Sequence, residues 1–195
     1  MTAARELLAE GTMPTVADAA TRAAVSRTTA YRYFPTQDAL LLEVAVNVDV
    51  DEIEALVAAP VDPTTAAART LDVIQRLNGK VLGEEVQYRT TMRLYLDLWL
   101  TAYAAGDTDP VVREGRRRRW LAQTLDPLRA SMPEQRFERL VAALSLVGGF
   151  EAMFVLRDIC RMDTDDALEV TRWAAEVLLE AALEGRPAGT SLEEG

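Results

Sequence analysis

The sequence predicts an all-α protein, with a small N-terminal helix-turn-helix domain joined to a larger C-terminal helical domain. Three observations carry that prediction. Alanine, leucine, arginine and glutamate dominate the chain, and all four are strong helix formers. No stretch alternates apolar and polar residues between turn signals, as a half-buried strand does. Glycine and proline punctuate the chain at helical rather than strand intervals.

The elements follow in order. A short first helix is ended by Gly11 and Pro14. Thr15 offers a cap to a second, with Asp18 three residues on, close to a capping box. Ser26 can cap a third short helix that ends near Phe34-Pro35. Thr36 caps a long helix that runs to about Ala59 and is broken by Pro60 and Pro63. Val44 to Val50 nearly alternates, but strong helix formers flank it, so it is read as helix. Further helices are expected from about Thr64 to Asn78, closed by Gly79, and from about Glu84 to Ala105, closed by Gly106-Asp107. Three more are expected, from Pro110 to about Ala130, from Pro133 to about Arg161, and from Thr164 to Glu184. The domain boundary is drawn inside the long helix after Thr36, giving domains at residues 1–45 and 46–187, with a disordered tail at 188–195.

Composition narrows the function. The chain has 195 residues, 49% of them apolar and 27% charged, which is enough for a packed core. Net charge is -10, yet Arg22 to Phe34 holds three arginines and no acid, a local cationic surface on an acidic body. Histidine is absent, which removes the commonest general base and metal ligand. No phosphate loop or nucleophile–base pair is present. No catalytic residue, cofactor or metal is therefore expected. The acids Asp49, Asp51 and Glu52, and Asp163, Asp165 and Asp166, fall at helix ends or on polar faces. Cys160, the one cysteine, is read as a small core residue. No apolar run approaches the roughly 20 residues of a membrane span, and no signal peptide is visible, so a cytoplasmic location is expected.

The segment TVADAATRAAVSRTTAYRYF, Thr15 to Phe34, carries the function. Val16, Ala19, Ala20 and Ala23 share one face of the second helix, and Ala30 and Phe34 point inward from the third. Small inner residues let two helices pack closely around a tight turn at Ala24-Val25, as a helix-turn-helix requires. The outer face of the third helix carries Arg27, Thr28, Tyr31 and Arg32, with Tyr33 at its edge. Arginine can bond guanine or phosphate bidentately, and hydroxyls commonly bond phosphate. Pattern alone does not separate this surface from an ordinary pair of amphipathic helices.

The stretch VSRTTAYRYFPTQDALL, beginning at Val25, resembles the signature of the TetR (tetracycline-repressor-like) family of transcriptional regulators. The resemblance implies a homodimer that binds double-stranded operator DNA, with Thr15 and Gln37 near phosphate and Ser26, Arg27, Thr28, Thr29, Tyr31, Arg32 and Tyr33 at the DNA surface. It also implies a repressor released from a palindromic operator by a small, mostly apolar effector. Three departures bear on this. Gln37 stands where the family usually has a lysine that clamps phosphate, and Ala24 stands where it has the glycine of the turn. The first helix is shorter than is usual in the family. These departures motivate the alternative, a helical ligand-binding or protein-interacting dimer with weakened or lost DNA binding.

For the larger domain, the resemblance implies dimerisation through helices 133–161 and 164–184. Met92, Tyr95, Leu96, Trp99 and Tyr103 recur at three- and four-residue spacing on one helix, and Trp120, Phe150, Met153 and Phe154 come from others. Such a set fits either plain core or a largely apolar effector pocket. Gly148-Gly149 fits either a close helix approach across a two-fold axis or a local bend. Arg116 to Arg119 point around most of a helix circumference and are read as a solvated face beside nearby acids.

Overall fold

A computed structural model of the chain describes residues 1–46, 50–110, 113 and 115–184. In chain order the helices are α1 (Thr2–Ala9), α2 (Val16–Arg22), α3 (Arg27–Tyr33), α4 (Gln37–Val46), α5 (Asp51–Ala58), α6 (Ala66–Gly83), α7 (Glu85–Ala104), α8 (Arg116–Leu125), α9 (Glu134–Val147), α10 (Phe150–Phe154) and α11 (Thr164–Leu183). A 3-10 turn follows α8 over Asp126–Ser131, and a π turn follows α10 over Val155–Ile159. Among the described residues there is no strand.

Packing divides the chain into two compact units that do not follow its linear order. Among the described residues, one holds 1–46, 83–110 and 113, and the other holds 50–82 and 115–184. In the first unit, Ala4 and Leu8 of α1, Val16 of α2, Leu40, Leu41 and Val44 of α4 and Leu94 of α7 form one apolar core. Helix α7 therefore backs α1 and α4 instead of standing apart from them. Its Gln87 side-chain amide donates to the Val44 carbonyl at 3.3 Å. Its buried Thr90 and Thr91 hydroxyls return to carbonyls one turn back, both at 2.9 Å.

In the second unit, Ile74 of α6, Leu121 and Leu125 of α8, Phe137 and Leu144 of α9 and Leu179 of α11 make the core. Polar groups pin its helices in register. Thr70 of α6 donates to Thr124 of α8 at 2.9 Å, with both side chains fully buried. Asn78 of α6 donates to the Val147 carbonyl at 3.1 Å and to Thr171 at 3.0 Å, and accepts from the Gly149 amide at 2.7 Å. The arginine run fans out as its helical position requires. Arg117 reaches Glu151 at 2.8 Å and also the Gly148 carbonyl, Arg118 reaches Glu138, and Arg119 reaches Glu54 at 3.2 Å.

Several expected elements are corrected. The long helix after Thr36 is not continuous, because Val50 is not helical and α5 starts anew at Asp51, while residues 47–49 lie outside the described residues. Helix α6 runs past Gly79 to Gly83, since the buried Leu77, Asn78 and Val81 outweigh one helical glycine. Helix α8 starts at Arg116 after a left-handed Gly115, not at Pro110. The helix expected from Pro133 to Arg161 breaks at Gly148-Gly149, with a 45° bend between its parts. Cys160 is exposed rather than core, because the chain unwinds through the π turn before reaching it. The expected tail at 188–195 lies outside the described residues. Among those described, no single helix is long and apolar enough to cross a membrane.

Gly149 has φ 98° and ψ -174°, a conformation essentially reserved for glycine, and a Cβ there would collide with the Arg117 guanidinium. Gly148 lacks both constraints; a Cβ would meet only ordinary contacts, the nearest at 3.6 Å. Gly149→Ala should therefore lower unfolding stability by about 1–3 kcal/mol, and Gly148→Ala by clearly less. Denaturant unfolding of the two variants tests this, and equal losses would contradict it.

Candidate nucleic-acid interface

The interface is built on two seven-residue helices and the turn between them. Thr15 starts α2 with a complete capping box. Its hydroxyl donates to the Asp18 carboxylate at 2.6 Å and accepts from the Asp18 amide at 3.1 Å, while its own amide donates back at 3.2 Å. The Thr15 hydroxyl, followed by the Thr15 amide, holds the Asp18 carboxyl below its ordinary range.

Helix α2 ends in a Schellman pair. The Val25 amide donates to the Ala20 carbonyl at 2.9 Å, and the Ala24 amide to Thr21 at 3.2 Å. That geometry puts Ala24 in the left-handed region at φ 53°, where a Cβ is unfavourable. Ser26 then caps α3 by accepting from the Thr29 amide at 3.2 Å, and its hydroxyl lies 2.8 Å from that of Thr29.

Helix α3 buries no residue fully. Its inner residues Ala30 and Phe34 are half-buried against the core of this unit. Behind them lies an apolar cavity of about 290 Å³, walled by Val16, Ala19, Ala20, Ala23, Phe34 and Leu40 among others. The small alanines leave that space. On the outer face Arg27, Thr28, Tyr31 and Arg32 are exposed, with Tyr31 at 47% and Tyr33 at 67%. The Arg32 guanidinium lies 5.2 Å from the Tyr33 ring centroid. Among the described residues, neither Arg27 nor Arg32 forms an ion pair.

The structure sorts the expected DNA residues by role. Arg27, Thr28, Tyr31, Arg32 and Tyr33 form one exposed surface on α3. Thr15, Ser26 and Thr29 spend their hydroxyls on caps, and Thr29 is half-buried. Gln37 is half-buried at the start of α4, which Thr36 caps through the Ala39 amide at 3.1 Å. Arg22 is not part of the free cationic surface. It closes a fork on Glu10 at 2.9 and 2.8 Å, with Glu6 at 3.6 Å. The Arg22 hydrogen bond pulls the Glu10 carboxyl below its ordinary range, and Glu10 in turn raises the guanidinium further. Sequence reasoning missed this pairing, because nothing local connects residues 10 and 22.

Residues 1–44 match the family model of bacterial regulatory proteins, tetR family. Over the whole chain the fold is similar to the crystal structure of a TetR transcriptional regulator from Rhodococcus sp. RHA1, at 21% identity and a TM-score of 0.53, covering 92% of this chain and 91% of that one. The family match thus covers the N-terminal 44 of 195 residues, and the likeness of fold extends over most of the chain. No curated protein matches it significantly. Helices α2 and α3, with the turn between them, form a helix-turn-helix within the matched residues.

The residues expected for an effector pocket fall in both units of the chain. Met92, Tyr95, Leu96, Trp99 and Tyr103 lie on α7; Met92 and Tyr95 are half-buried and the other three exposed, with Trp99 and Tyr103 stacked at 5.0 Å. Trp120, Met153 and Phe154 are buried in the second unit, where Phe150 lies half-buried with its ring 6.0 Å from that of Phe154.

Ala24→Gly should remove the left-handed strain and raise stability by about 0.5–1 kcal/mol, after allowing for the greater freedom of glycine in the unfolded chain. A thermal melt that moves upward supports the strained turn; one that moves downward contradicts it.

Proposed function

We propose that the protein is a transcriptional repressor whose dimer holds a palindromic operator and is released by a small, mostly apolar effector. The observation that supports it most is the outer face of α3, where Arg27 and Arg32 stand exposed and outside any close ion pair beside Thr28, Tyr31 and Tyr33. A short helix with two exposed guanidinium groups and three hydroxyls suits the major groove and its flanking phosphates. Two such helices in a dimer would lie about 34–36 Å apart, one turn of DNA. The reading assigns no catalytic step and places the protein in the cytoplasm.

Dimerisation is typical of the family. For its location we propose α9, α10 with its π turn, and α11. Leu146 is 76% exposed, Ile159 75% and Trp173 63%, with Val155 and Val177 also exposed. Apolar side chains of this size, left open on neighbouring helices, are what a helical dimer covers. The effector would bind within residues 46–187 and favour a dimer whose recognition helices are wrongly spaced. Its differential affinity for the two conformers would set how far operator binding shifts.

The experiment is binding of the purified protein to DNA upstream of its own gene, and to a random duplex library, across a salt series. Specific binding that weakens with salt is expected. Arg27→Ala and Arg32→Ala should each cost about tenfold in affinity. An unchanged double variant would remove α3 from the groove. A wild type that enriches no duplex would favour the dimer without DNA binding. Separately, Trp173→Glu should shift the protein from dimer to monomer in light scattering and weaken operator binding with it; a variant that stays dimeric places the interface elsewhere.

A further inference from the structure

We propose that Arg22 is a positioning residue for DNA recognition, which ties the C-terminal ends of α1 and α2 together through Glu10 and Glu6 and so sets the angle at which the turn presents α3. The proposal rests on the DNA-binding reading above.

Arg22 is the last residue of α2, two before the left-handed Ala24. Glu10 is the C-cap of α1, and Glu6 lies one turn earlier. The planar guanidinium meets the Glu10 carboxylate with two parallel bonds, at 2.9 and 2.8 Å, which fixes direction as well as distance. Besides the Schellman bonds and Ala20, no other side chain at this end of α2 is buried. Its buried residues are Val16 and Ala20, whereas Thr21, Arg22, Ala23 and Ala24 are all exposed. Beyond the turn, α3 buries no residue fully and is backed by a cavity. Apolar packing thus leaves the exit of α2 weakly fixed, and the ion pair is the specific contact there. Exposed ion pairs usually add little stability, but bidentate geometry within a network can add more. Arg22 acts through orientation rather than stability.

The competing role is direct phosphate contact, as expected of one member of a cationic run. The two roles predict opposite effects of Glu10→Gln. If Arg22 positions the helices, removing its partner weakens binding. If Arg22 serves phosphate, the same change frees it, and binding holds or strengthens. They also differ in salt dependence, because each lost phosphate contact lowers the slope of log affinity against log salt by about 0.9.

The test uses the full chain and a duplex that the wild type enriches from a random library. Glu10→Gln and Arg22→Gln should each weaken binding about fivefold with an unchanged salt slope. The exchanged pair, Glu10→Arg with Arg22→Glu, should recover most of that loss and keeps the test valid if a single variant fails to fold. Unchanged or tighter binding by Glu10→Gln, a salt slope reduced by about one phosphate in Arg22→Gln, or no recovery in the exchanged pair would overturn the proposal. A wild type that enriches no duplex would instead overturn the DNA-binding reading and this proposal with it.

Discussion

Helices of seven residues are too short to persist by themselves in water, because the cost of nucleation is spread over too few bonds. Both α2 and α3 are of that length. What keeps them helical and in place is the chemistry of their ends. Thr15 and Asp18 satisfy each other at the start of α2, the Schellman pair closes it, and Ser26 opens α3. Every exposed side chain on α3 inherits its position from that sequence of end contacts. The backing of α1, α4 and α7 then supplies the apolar support that two such helices cannot make between themselves.

Charge placement follows a similar economy. The chain carries a net charge of -10, and the run from Arg22 to Phe34 looks like a compensating cationic patch. The fold removes one of its three arginines, since Arg22 faces Glu10 and Glu6. Two free arginines remain, and Gln37 adds a donor but no charge. Few phosphates can be neutralised by such a surface. Because non-specific binding scales with that number, an acidic body with two free cations disfavours DNA at large. On the proposed reading, discrimination would then rest on base contacts and on the spacing of two half-sites.

What could be read from the sequence was chemistry acting over a few residues. The Thr15-Asp18 box, the Ser26 cap, the inward Ala30 and Phe34 and the outward Arg27 and Arg32 all follow from spacing within one or two turns. The possible strain at Ala24 was legible too, because a turn that favours glycine holds an alanine. What failed was long-range or context-dependent. Leu94 and Gln87 place α7 against the N-terminal helices, a contact that no spacing within α7 announces. Gly79 sits inside a helix because buried neighbours on both sides outweigh its flexibility, while Gly148-Gly149 ends one. No local rule separates those two cases. Cys160 was misjudged because apolar neighbours in sequence, such as Ile159, are themselves exposed.

The contrast between Gly79 and Gly148-Gly149 has a physical cause in Asn78. A broken helix leaves backbone amides and carbonyls without intrahelical partners, and each orphan in a core costs about 1–3 kcal/mol. Asn78 supplies both a donor and an acceptor from one buried side chain, bonding the Val147 carbonyl and the Gly149 amide, while Arg117 takes the Gly148 carbonyl. Apolar packing alone would tolerate some sliding of α6 along α9, since one methyl group replaces another at little cost. The polar contacts tolerate none, because a shift of one residue would carry Asn78 off the break and strand both backbone groups. The second unit is thus held in register by hydrogen-bond satisfaction at a single bend. Gly79, next to the same asparagine, can stay helical because the α6 backbone there already satisfies itself.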